Sequence, residues 1–224
     1  MKEKDQNNLG RRTLLTNMGV AAVAGIAASA GSTSAQAQQS SNAFKPARHS
    51  KDSWFNDLKG EHRVFIDSST VQGGGSALRF GNNIIVSHIE AYEGKSSDYA
   101  LVICYRHAST PYGFGHAIWE KYGELINRDT SLDVAPKSNP MYEPNPHSGG
   151  NTIPKVLDLG VHFAICNRAT TNTARRIASA TGASAEDVYK ELVAGAIPNA
   201  HFVAAGVLAA TRSQEYGYSL LYAE

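Results

Sequence analysis

The run Ala100-Leu101-Val102-Ile103-Cys104-Tyr105 is apolar at every position. Strict alternation marks a strand with one wet face, whereas an unbroken run of this length marks a strand covered on both faces, as in a parallel sheet flanked by helices. A second run, Gly160-Val161-His162-Phe163-Ala164-Ile165-Cys166-Asn167, begins at a glycine and ends at a thiol followed by polar residues. It reads as a central strand entered from a short helix over 152–159. Arg63-Val64-Phe65-Ile66-Asp67, a short stretch within 196–201, and 218–222 supply the remaining strands. Helical patterns lie between them, at 77–92, 111–126, 169–181, from Ser184 onward and at 206–216. Such alternation predicts an α/β fold, a three-layer α/β/α sandwich around a mainly parallel sheet of about five strands with right-handed crossovers. Its core is expected at Val64, Phe65, Ile66, Leu101, Val102, Ile103, Phe163 and Ile165.

The amino-terminal end has a different character. Arg11-Arg12 precede Thr13-Leu14-Leu15, a weakly apolar Ala/Gly run over 18–31, and Ala35-Gln36-Ala37. This pattern is that of a twin-arginine export signal with a small-residue cleavage site after Ala37. The expected partner is the twin-arginine translocase, and the expected destination is periplasmic or secreted, with no stable membrane insertion after cleavage. Residues 38–60 read as a polar tether and extension, in which Trp54, Phe55 and Leu58 pack a short turn against the body. Residues 61–224 form the single expected domain. A formal net charge of +1 gives no field that favours nucleic acid.

Several chemistries are poorly matched by the sequence. The stretch Gly73-Gly74-Gly75-Ser76 has neither phosphate-loop nor dinucleotide-fingerprint spacing, and it reads as a flexible loop before a helix. Cys104 and His107 are three apart on a strand and point to opposite faces, so no metal is expected there. No nucleophile-elbow spacing or paired-histidine motif appears, and no cofactor is expected. Residues 127–151 hold Pro136, Pro140, Pro144 and Pro146. So long an irregular segment is either a lid, a subunit contact or a mobile loop.

Ligands of open α/β sheets gather at the carboxyl ends of the strands. Cys166 therefore stands as the candidate catalytic thiol, with Asp67, Arg106, His107, Asn167 and Arg168 as candidate binding residues. A nearby cation or helix amino terminus favours the thiolate. His162 shares a face with Cys166 but lies about 13 Å away along the strand, too far to act as its base. Two cysteines in an oxidising compartment also leave open a Cys104–Cys166 disulfide, or a quiet buried thiol.

The carboxyl half resembles the DsrE/DsrF-like sulfur-relay superfamily. The resemblance is carried by Gly160-Val161, Phe163 and Cys166, by Ile197-Pro198 with Val203 and Gly206-Val207, and by Arg212, Gln214-Glu215 and Gly217-Tyr218. It implies a five-stranded sandwich that assembles into homo-oligomers, with Cys166 at the position where some members carry a persulfide. The chain differs from the proven carriers at Asn167-Arg168-Ala169-Thr170-Thr171-Asn172, where they have small apolar residues and a basic-glycine step. Two functions follow as expectations: a thiol-based sulfur carrier, or a non-catalytic module of the same fold that binds a small ligand or joins an oligomer.

Overall fold

The computed structural model describes residues 45–133 and 135–224. The expected export signal and the first part of the tether lie outside the described residues. Five strands, β1 (His62–Ser68), β2 (Tyr99–Tyr105), β3 (His162–Cys166), β4 (Ala200–Val203) and β5 (Ser219–Ala223), form one sheet in the order β4-β3-β2-β1-β5. Every pairing is parallel. Among the described residues, seven α-helices accompany them: α1 (Trp54–Asp57), α2 (Val71–Tyr92), α3 (His116–Thr130), α4 (Ile153–Asp158), α5 (Asn167–Thr181), α6 (Ala185–Ala194) and α7 (Gly206–Glu215).

The strand order explains the layering. From β1 to β4 the chain steps in one direction across the sheet, so crossovers of one hand deposit α2 to α6 on one face. The final crossover returns past β1 to reach β5. Reversing direction at constant hand puts α7 on the opposite face, where it covers the sheet together with α1. The apolar runs serve both layers, as a doubly covered strand requires. Phe65, Val102, Cys104 and Ala164 pack with Phe55, Ala209 and Ala210 under α1 and α7. Their neighbours Ile66, Leu101, Ile103, Tyr105 and Phe163 pack with Leu78, Trp119 and Ile177 on the other side. The chain is thus a three-layer α/β/α sandwich with an all-parallel five-stranded sheet.

Of the expected core, Phe65, Ile66, Leu101, Val102, Ile103, Phe163 and Ile165 are buried. Val64, near the start of β1, is only partly buried. Phe55 anchors α1: its side chain is buried, and its carbonyl accepts hydrogen bonds from Arg63 Nη1 at 3.0 Å and Tyr218 Oη at 2.8 Å.

Three local expectations are corrected. The glycines at 73–75 are not a flexible loop but buried residues in the first turns of α2, which Thr70 caps by accepting from the Gly73 amide at 2.8 Å. Their role is close packing, since a Cβ on Gly74 would meet Tyr112 Cδ2 at 2.5 Å and one on Gly75 would meet His147 Cβ at 2.7 Å. The helix expected over 111–126 begins later: a 3-10 segment spans His107–Gly113, and α3 starts at His116. The helix expected from 169 begins at Asn167, directly after Cys166.

The proline-rich segment is pinned to the body. Buried Asn139 donates to the carbonyls of Tyr112 and Phe114, both at 2.8 Å, and accepts from the Met141 amide at 2.9 Å. Met141 and Ser148 are buried as well. No helix among the described residues is long and apolar enough to cross a membrane.

Candidate functional site

The connection leaving β3 runs to α5 on one face, and the connection leaving β4 runs to α7 on the other. Where neighbouring connections part in this way, a crevice opens at the carboxyl ends of the strands. A cavity of about 200 Å³ lies there, lined by Arg106, His107, Cys166, Arg168, Gly206 and Val207 among others. A larger cavity of about 380 Å³ lies between α3 and residues 135–137 and contains none of the candidate residues.

Four of the six expected site residues meet in the crevice: Cys166, Arg106, His107 and Arg168. Cys166 is 7% exposed and ends β3, where it is also the residue preceding α5. Asp67 sits behind the crevice and holds Arg106 through two hydrogen bonds of 2.8 Å, from Nε to Oδ1 and from Nη2 to Oδ2. This bond to Asp67, opposed by desolvation, raises the pKa of the guanidinium above its ordinary value. Asn167 turns elsewhere: its side-chain oxygen accepts from Tyr189 Oη at 2.8 Å, which ties α5 to α6.

The end of β1 and the turn after β2 are locked by hydroxyls. Ser68 donates to the Cys104 carbonyl at 2.7 Å, and the Arg106 amide donates to Ser109 Oγ at 3.0 Å. His107 then adopts φ 51, a left-handed conformation that turns the chain away from the strand. Across the crevice, Gly206 leaves room for the Arg106 stem: a Cβ there would meet Arg106 Cβ at 2.6 Å.

The two thiols differ in environment. Cys104 is fully buried, and burial, with Asp67 adding to it, pushes its pKa well up and holds it protonated. Both cysteines are free. Cys104 pairs in register with Ala164, two residues before Cys166 on the same face. This diagonal puts their Cα atoms about 8 Å apart by strand spacing and rise, beyond the roughly 7 Å limit for a bridge.

His162 does not reach Cys166. Its Nδ1 lies 3.3 Å from His201 Nε2 on β4, and the Trp54 ring stacks on His201 at 4.1 Å between centroids. Burial lowers both imidazole pKa values, and His162 lowers that of His201 further. No group of three or more His, Cys, Asp or Glu among the described residues is placed to hold a metal ion.

The share of the site contributed by the α7 start, Ala205 to Val207, was not identified by sequence reasoning as a binding wall. The signal that could have found it is topological: the order Val203 to Gly206 places a strand end and a helix start opposite Cys166. Recognising it requires knowing that the chain reverses direction after β4. Comparisons with protein-family models, with curated proteins and with solved structures found no match for this chain.

Proposed function

We propose that this chain is an exported, DsrE-like thiol carrier of sulfur in which Cys166 holds a persulfide. The observation that carries the reading is the contrast between the two cysteines: Cys166 lines the crevice at the strand ends, whereas Cys104 is sealed beneath the sheet surface. α5 starts directly after Cys166, and Arg168 lines the same crevice, so a helix amino terminus and a cation stand beside the thiol. In loading, the Cys166 thiolate attacks a terminal sulfur of a donor such as inorganic polysulfide. A new S–S bond forms, and the shortened polysulfide leaves with the electron pair. Incubation with polysulfide is expected to add about 32 Da, one sulfur atom, at Cys166. Cys166→Ser should abolish the adduct while leaving the fold intact, and an unmodified Cys166 would overturn the reading.

A second reading, a non-catalytic binding module of the same fold, is supported by the Asp67–Arg106 pair, which neutralises the innermost cation of the crevice. Under it, Cys166 stays unmodified while a small ligand occupies the cavity. Homo-oligomer formation belongs to both readings. It is supported by the edge strand β5, which no further strand pairs among the described residues and where Leu220, Leu221 and Tyr222 are exposed. Light scattering on the full chain tests it, a monomer being the contrary result.

A further inference from the structure

We infer that His162 and His201 form a binding site for a divalent cation that takes imidazole nitrogen in tetrahedral geometry, zinc above all, at the end of β3 opposite the Cys166 crevice. His162 opens β3, and His201 lies on the edge strand β4 in register with Ala164. Side chains two apart on a strand share a face, so both imidazoles stand on the side of the sheet that α1 and α7 cover. His162 Nδ1 and His201 Nε2 face each other at 3.3 Å. Two nitrogens bound to one tetrahedral ion at about 2.0 to 2.1 Å stand about 3.3 Å apart. The two rings hold the spacing of a chelate with no rearrangement of the strands.

A separate contact fixes the ring of His201. Trp54 stacks on it with centroids 4.1 Å apart and planes 7° from parallel, and Trp54 in turn stacks on buried Phe55 at 4.0 Å. The orientation of His201 is thus set through the Phe55 anchor of α1, and a ligand already held in place loses little freedom on binding. Both imidazoles are half-buried, which lowers their pKa values, His162 adding to the effect at His201. Neutral imidazole is the form that binds metal. Among the described residues, no lysine or arginine adds to this depression, so no fixed cation stands against a dication here.

The described residues place no third His, Cys, Asp or Glu on the pair, so water or a small anion completes the shell of the ion. Imidazole donors select zinc over magnesium and calcium, which take oxygen. Because β4 is the edge of the sheet, the ion cross-links this strand to β3. A cation that binds only the folded chain stabilises it by mass action.

The test uses the untagged full chain with zinc and cobalt(II) as probes, and the Cys166→Ser variant alongside to separate this site from the thiol. Competition against a chromophoric chelator should give a single zinc ion per chain. Cobalt(II) should produce the intense visible bands of tetrahedral coordination and quench a component of the fluorescence that Trp54→Phe removes. His162→Gln and His201→Gln should each weaken zinc binding by at least about tenfold, the lower end of the loss on removing even an outer-shell partner. Zinc should raise the urea midpoint of the unaltered chain and not that of His201→Gln, whose fold circular dichroism verifies. All of these properties should persist in Cys166→Ser. Zinc binding that is absent, that both histidine variants leave unchanged, or that Cys166→Ser abolishes overturns the inference. Weak octahedral cobalt bands in the unaltered chain overturn it without any variant. Sulfur loading of Cys166 is read separately, so failure here leaves the carrier reading to its own test.

Discussion

Arg106 and Asp67 face each other across β2 and β1 in a bidentate pair, each contact 2.8 Å, with side-chain exposures of 15% and 9%. Breaking such a pair from one side leaves an uncompensated charge in a poorly solvated place. Asp67→Asn should therefore destabilise the domain by about 2 to 4 kcal/mol in urea unfolding. Adding Arg106→Leu should restore part of that loss. Full additivity of the two substitutions would show that the pair is not coupled.

The glycine-rich start of α2 yields an unintuitive outcome. In an exposed helix, Gly→Ala stabilises by about 1 kcal/mol through propensity. At Gly74 the new Cβ would meet the buried ring of Tyr112 at 2.5 Å. Gly74→Ala should instead destabilise by roughly 1 to 3 kcal/mol, the usual cost of overpacking. A stabilised variant would mean that these glycines do not serve packing.

Stability should fall on acidification through the His162–His201 pair. Burial holds both imidazoles below the ordinary value of 6.5. The unfolded chain takes up protons near that value while the folded chain resists, so the contribution is complete above it and is lost as pH falls below it. Urea midpoints measured from about pH 7.5 down to pH 5 should decline, and the decline should shrink in His201→Gln. An unchanged slope in that variant would remove the pair as its source.

Export should depend on the arginine pair at the amino terminus. Replacing Arg11 and Arg12 together by Lys keeps the charge but removes the planar guanidinium forks. Cytoplasmic retention of the variant, measured by fractionation, is the expected result. Continued export would overturn the twin-arginine assignment.

The sheet was legible because β2 and β3 are written as unbroken apolar runs, which only a strand covered on both faces can satisfy. Cys166, Arg106, His107 and Arg168 were legible by the same logic, as the residues that follow those runs. The start of α2 was not, because three glycines signal a loop in isolation and only the proximity of Tyr112 and His147 makes them helical packing positions. Asn139 was hidden too: its role is to donate to the carbonyls of Tyr112 and Phe114, distant in sequence, which composition does not encode. The wall supplied by α7 depends on a reversal of direction between β4 and β5, a property of the sheet order rather than of any segment.

The central claim is that Cys166, and not Cys104, is the working thiol. Limited alkylation of the native full chain with iodoacetamide near neutral pH, followed by peptide mass mapping over time, tests it most directly. Cys166, which lines the crevice, should be modified quickly, and Cys104, fully buried and held protonated, should remain unmodified until the protein is unfolded. Equal and slow modification of both thiols would contradict the claim.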